Sequence, residues 1–167
     1  MGEILKIKGK IKIIPLIISV LLPLSGAGLV AFITRNSMNI YEKLEKPFFS
    51  PPAIVFMIVW PILYILMGIA SYRIYMHKEA GENIENALFY YAIQLLLNYL
   101  WSFLFFSFRL YGLALIEFII LFVFIMITFW KFIKIDRIAG YLLIPYILWC
   151  AFALVLNYSI WSENERL

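Results

Sequence analysis

Residues 139–161 read AGYLLIPYILWCAFALVLNYSIW, and the stretch from Ala139 to Trp161 decides the fold. It is apolar for longer than the roughly 18–20 residues that a helix needs to cross hydrocarbon. Yet it carries Pro145, Tyr146, Trp149, Asn157, Tyr158 and Trp161, groups that cannot all face lipid without cost. On a helix, Trp149, Ala153 and Leu156 fall at i, i+4 and i+7 and share one face. That face sets a large flat aromatic beside the gap left by a small side chain. It is either a slot for a flat ligand or a site where two helices pack closely.

Working outward, the whole chain of 167 residues is 65% hydrophobic and only 14% charged, which excludes an ordinary soluble domain. Four more runs reach spanning length: about Ile13 to Ile33, Ala53 to Tyr75, Ala87 to Phe108 and Leu113 to Phe132. The expected fold is therefore an all-α membrane protein, a bundle of five transmembrane helices in a single domain over residues 1–167. The basic start leads into a run of spanning length without a small-residue cleavage site, so no cleavable signal peptide is expected. Much of the net charge of +4 comes from Lys6, Lys8, Lys10 and Lys12, which read as an orienting tract rather than a nucleic-acid surface. On the N-terminal side of the spans lie nine basic residues, against Arg35, Lys43, Lys46, Arg109 and Arg166 on the other. That bias places the N-terminus inside and the C-terminus outside, and the cell membrane is the expected location. With one cysteine, Cys150, and one histidine, His77, no disulfide, metal site or cofactor is expected.

Polar residues inside the spans point to the bundle interior. Trp60, Tyr64, Met67 and Ser71 make one stripe on the second span, and Gln94, Asn98 and Trp101 line one face of the third. Pro23-Leu-Ser-Gly-Ala-Gly28 gives the first span small residues for close approach, with Pro23 kinking rather than ending the helix. Glu117 lies one turn inside the fourth span, where headgroup water is within reach. The longest connection, Thr34 to Pro52, reads as a lid or a tolerated linker; Asn39 would cap a short helix through Leu44, and Ser50 before Pro51 would cap the second span.

Four pieces of sequence, in order, resemble the TspO/MBR family of tryptophan-rich sensory and translocator proteins. Lys46-Pro47-Phe48-Phe49-Ser50-Pro51-Pro52 is similar to its KPxWxPP, and Trp60-Pro61-Ile62-Leu63-Tyr64 to its WxxLY. The segment from Gln94 through Asn98 and Trp101 to Phe105-Phe106 resembles QLxLNxxWxxxFF, and Leu143 to Asn157 resembles LxPYxxWxxFAxxLN. The resemblance implies a five-helix bundle, often dimeric, with a pocket toward the end covered by the first loop. It implies porphyrins such as protoporphyrin IX and haem, sterols and benzodiazepine-site drugs as ligands. Carried over position by position, Trp60, Tyr64, Asn98, Trp149, Ala153 and Leu156 would line the pocket, with Trp101 in the same motif set. Arg35, Lys43 and Lys46 near the lid would pair with propionates.

Three departures bear on these expectations. Phe49 stands where the family usually has Trp; Ser162 and Glu163 follow Tyr158 where a sterol-recognition pattern needs a basic residue. Phe89 and Ile93 occupy the positions of a small-xxx-small dimer motif, so a homodimer would be differently packed. The expected function is a membrane receptor or carrier for porphyrin or another flat apolar molecule. Haem iron would find no histidine in the pocket, so a metal-free porphyrin fits better. No acid/base pair or nucleophile triad is visible and no catalytic residue is assigned. Light-dependent porphyrin breakdown through the pocket tryptophans, and a regulatory scaffold, remain the alternatives.

Overall fold

The computed structural model describes residues 2–7, 9–35, 41, 43–80 and 84–164. The expected helix cap at Asn39, and Lys8 and Arg166 of the charge count, lie outside the described residues. Among the described residues, five helices are long and apolar enough to cross a membrane: Ile13–Thr34, Ala53–Met76, Glu85–Ser107, Tyr111–Ile135 and Arg137–Asn164. The protein is thus an all-α, multi-pass integral membrane protein. A short helix, Gly2–Leu5, precedes them. The first span runs unbroken through Pro23. The second begins at Ala53 after an extended Pro52, two residues later than a Ser50 cap would place it. The Ser50 hydroxyl is bonded to Tyr41 instead of capping the helix.

Core packing joins the second to fifth spans through Leu63, Met67, Leu95, Phe118, Leu121, Leu143 and Ile160, and the first span reaches it through half-buried Leu24 and Ala27. Two glycines fix that outer helix. A Cβ on Gly68 would stand 2.6 Å from Val20 Cα, so the backbones of the first two spans touch there. A Cβ on Gly26 would stand 2.5 Å from the Tyr99 hydroxyl oxygen, which donates to the Pro23 carbonyl at 2.8 Å. These contacts hold the middle of the first span, from Val20 to Gly26, against the bundle. Toward Thr34 no comparable glycine contact draws the helices together.

The third span ends differently from the rest. After Ser102 it passes into a π-turn over Phe103–Ser107, and Arg109 takes a positive φ of 57° to close the connection. One extra residue in the turn re-aims the side chains that follow. Phe105 is thereby buried while Phe106 is half-buried.

Two buried acids meet opposite environments. Asp136, between the fourth and fifth spans, accepts hydrogen bonds from Arg73 Nε at 3.0 Å and Nη2 at 2.7 Å, with His77 Nε2 at 3.1 Å. Its other oxygen accepts the amides of Ile138 at 2.8 Å and Ala139 at 3.0 Å, capping the fifth span. Arg73 also donates through Nη1 to the Ile4 carbonyl, and the Lys12 amide donates to the Tyr72 hydroxyl at 2.9 Å. This cluster fastens the N-terminal tract to the bundle. Burial acts to raise the Asp136 carboxyl, but the Arg73 guanidinium, the Ala139 amide and His77 outweigh it and hold it below the usual carboxylate value. Glu117, in contrast, is 7% exposed and neither carboxyl oxygen has a hydrogen-bond partner among the described residues. It does not reach headgroup water as its shallow position suggested, because its helix turns it into the bundle on the same face as Ala114, Phe118 and Leu121.

Opposite substitution effects are expected at these two positions. Asp136→Asn keeps a capping oxygen but breaks a buried ion pair, at a cost of about 3 kcal/mol. Because the folded-state value is lowered, the stabilisation is present above the ordinary carboxylate value of about 3.9 and is lost as pH falls through the lower, folded value. Thermal melts in detergent at falling pH should show that acid limb in the parent and a weaker one in Asp136→Asn. Glu117→Met removes a carboxyl with no partner among the described residues and should raise stability by about 1–3 kcal/mol. A lower melting temperature for Glu117→Met would mean that the carboxyl is satisfied in the folded protein.

Candidate ligand-binding site

Between the C-terminal half of the first span, the N-terminal half of the second and the C-terminal end of the third lies a cavity of about 560 Å³. That volume falls within the range of roughly 300–1,000 Å³ typical of small-molecule pockets. The first span contributes Leu24, Ala27, Gly28 and Thr34 to its wall, followed by Arg35. Gly28 faces open space: a Cβ there would have nothing within 4 Å. The opposite wall is aromatic: Phe56, Trp60 and Tyr64 from the second span, Trp101 and Phe106 from the third, and Tyr41 from the first loop. Trp60 stacks on Tyr64 with centroids 5.6 Å apart. The cavity is half-open along its side, between exposed Gly28 and Ala31 on one helix and exposed Met57 and Pro61 on the other.

Behind the aromatic wall a hydrogen-bonded chain fixes its geometry. Tyr64 donates to Asn98 Oδ1 at 2.5 Å, Asn98 Nδ2 donates to the Tyr146 hydroxyl at 3.1 Å, and Tyr146 donates to Gln94 Oε1 at 2.9 Å. Trp101 Nε1 donates to Asn157 Oδ1 at 2.9 Å, and Asn157 Nδ2 donates to the Tyr111 carbonyl at 3.1 Å. The side-chain amides of Gln94, Asn98 and Asn157 therefore join neighbouring helices, as interhelical polar groups in hydrocarbon must.

The structure divides the site residues expected from the sequence. Trp60, Tyr64 and Trp101 line the cavity directly, and Arg35 stands at its edge with its guanidinium 4.4 Å from the Phe32 ring centroid. Asn98 is buried one layer back, with its amide engaged by two tyrosines. Ala153 and Leu156 line a separate void of about 20 Å³, which shares Tyr41, Phe56, Trp101 and Phe106 with the large cavity. Trp149 packs against Phe56 at 5.6 Å, and its buried indole N–H has no hydrogen-bond partner among the described residues. Lys46 donates to the Tyr41 carbonyl at 2.8 Å and Lys43 is exposed on the loop. Phe56 and Tyr41 were not among the expected residues. Phe56 lies one turn before Trp60 on the same face, so extending that stripe backwards would have found it. Tyr41 carries no such signal, because it lies in the polar connection between two spans, outside the second-span stripe whose cavity it joins.

The void beside Ala153 sets an expectation for that position. Ala153→Leu places a larger side chain into a small void bounded by Tyr41, Phe56, Trp101 and Leu156, so these neighbours must give way to it. It is expected to cost about 1–3 kcal/mol of stability in the ligand-free protein. Melting temperature measured without ligand checks this, and an unchanged value would show that the space beside Trp149 is open.

Comparison with known proteins agrees with the architecture. The sequence model of the TspO/MBR family matches residues 19–162. The chain is 36% identical over 124 residues to the tryptophan-rich sensory protein of Cereibacter sphaeroides, covering 74% of this chain and 76% of that one. It is 36% identical over 156 residues to the translocator protein of Bos taurus, covering 91% of each chain. Against the tryptophan-rich protein TspO of Archaeoglobus fulgidus it is 35% identical over 153 residues, 91% of this chain and 98% of that one. With the match extending from the first span to the end of the fifth, this chain belongs to the TspO/MBR family.

Proposed function

We propose that this protein is a membrane receptor or carrier for flat apolar ligands, with porphyrins such as protoporphyrin IX as the leading class. The observation that carries the reading is the half-open cavity of about 560 Å³ with an aromatic wall on one side and Arg35 at its end. A ligand that moves from lipid into this space gains little from the hydrophobic effect, because both surroundings are apolar. Selectivity then rests on stacking, shape and a few polar contacts. The half-buried Trp60 offers a ring for stacking, and Arg35, directly after the first span, is placed for a carboxylate that stays near water. No histidine or cysteine is among the described residues that line the cavity, so a macrocycle that needs no axial imidazole or thiolate suits it. By the bias of basic residues, the cavity end faces outward. A second copy docking on the third span would meet exposed Phe89 and Leu96, large side chains that keep the backbones apart.

Titration of the purified protein in mild detergent with protoporphyrin IX, read by tryptophan quenching, tests this reading. Saturable quenching at micromolar ligand is expected. Trp60→Phe should weaken binding by about 0.5–1.5 kcal/mol through lost stacking. Arg35→Ala should weaken protoporphyrin IX but leave its dimethyl ester, which lacks the charge, nearly unaffected. Absence of saturable binding in the parent would overturn the proposal.

A further inference from the structure

Residues 4–14 read ILKIKGKIKII, lysines alternating with isoleucines around one glycine. The tract lies at the end of the bundle opposite the cavity and before residue 19, where the family match begins. It is docked rather than trailing. Ile7 is 6% exposed and packs with Tyr72 and Met76 of the second span and with half-buried Leu16. The Ile4 carbonyl accepts a hydrogen bond from Arg73 Nη1, and the Lys12 amide donates to the Tyr72 hydroxyl. Gly9, at a φ of 77°, turns the chain so that Ile7 and Lys10 exchange backbone hydrogen bonds of 3.1 and 3.0 Å.

Docking sorts the side chains of the tract. Ile7 goes into the bundle, while Ile4, Ile11, Ile13 and Ile14 stay exposed, and so do Lys6, Lys10 and Lys12. Exposed isoleucines are unfavourable in water, and exposed lysines are unfavourable in hydrocarbon. The mixture suits the boundary where acyl chains meet headgroups. Ile13 and Ile14 open the first span, so that boundary falls beside the tract and brings the three lysines to headgroup level. The acid beneath the tract, Asp136, is already engaged by Arg73 and His77.

We propose that this docked tract is a binding site for anionic phospholipid headgroups, and that the bound lipid stabilises the bundle through Arg73. Each lysine near a headgroup adds attraction to an anionic lipid, and the neighbouring isoleucines meet its acyl chains. Because the tract is held in place before lipid arrives, little ordering is needed to bind. Arg73 carries the effect inward: its Nη1 holds the Ile4 carbonyl while its Nε and Nη2 hold Asp136, which caps the fifth span. A lipid that prefers the docked tract to an undocked one stabilises the folded state by linkage. The proposal is independent of what the cavity binds.

The test melts the full chain in dodecyl maltoside micelles containing dioleoylphosphatidylglycerol, or dioleoylphosphatidylcholine as the neutral control. The anionic lipid should raise the unfolding temperature of the parent by about 2–4 °C over the neutral one. Lys6→Gln, Lys10→Gln and Lys12→Gln together should remove most of that difference. Lys78→Gln, Lys134→Gln and Arg137→Gln together take the same charge from the same end and should keep most of it. Ile7→Ser keeps every lysine but loosens the docking, and it should lose the difference as well. Glycerophosphate, which has the charge without the acyl chains, should leave the unfolding temperature unchanged. No difference between the two lipids in the parent overturns the proposal, as does equal loss in the two triple variants or a parental response in Ile7→Ser. Stabilisation by glycerophosphate equal to that by the lipid overturns the lipid as occupant. If Ile7→Ser does not fold, the two triple variants, which change only exposed side chains, decide the matter.

Discussion

Inside a bilayer there is no water to accept a hydrogen bond, and that constraint organises this bundle more than apolar packing does. Lipid chains are as apolar as leucine, so burying leucine against leucine gives helices little reason to leave lipid. Polar side chains supply the reason. Tyr64, Asn98, Tyr146 and Gln94 form one connected chain across the second, third and fifth spans. Trp101, Asn157 and the Tyr111 carbonyl join the third, fifth and fourth. These bonds satisfy most of the polar atoms in the two chains from neighbouring helices, although Gln94 Nε2 has no partner among the described residues.

The first span stands outside that scheme, and the cavity follows from its position. It carries no amide-bearing side chain and is held by Gly68 against Val20 and by the Tyr99–Pro23 hydrogen bond. Both attachments fall before its last turns. The outer half of the helix is left to stand away from Phe56, Trp60 and Trp101, and the space between is the candidate site. At the other end, Arg73 joins Asp136 and the Ile4 carbonyl, which ties the N-terminal segment to the bundle.

Much of this was legible in the sequence because it depends on run length and helical spacing. Five apolar runs gave five spans, with ends displaced by a turn or less: the fifth starts at Arg137 because Asp136 caps it. The inward face of Gln94, Asn98 and Trp101 followed from i, i+4, i+7 spacing and is buried. What escaped depends on residues far apart in the chain. Arg73 and Asp136 are 63 positions apart, and no local pattern pairs them. Glu117 looked shallow by its distance from the helix start, but rotation about the helix axis, not depth, decides its surroundings. Ala153 and Leu156 share one void and Trp149 packs on Phe56, and the rings that border both that void and the large cavity include Phe56 and Tyr41. Those two rings are contributed by another helix and a loop, which spacing within one segment cannot reveal.

The π-turn over Phe103–Ser107 carries a consequence for how this chain tolerates insertions and deletions. Successive residues on a helix are separated by about 100° of rotation, so one residue more or fewer turns everything downstream by that angle. The surplus residue in the turn is what lets Trp101 and Phe106, five positions apart, both border the same cavity. Deleting one residue here would let the helix run straight, with Trp101 and Phe106 then four positions apart and still on one face. An insertion, or a second deletion, would instead rotate the chain into Tyr111 by about 100° away from its partners. The turn therefore tolerates the loss of its surplus residue but little else, which substitution scanning one position at a time would never expose.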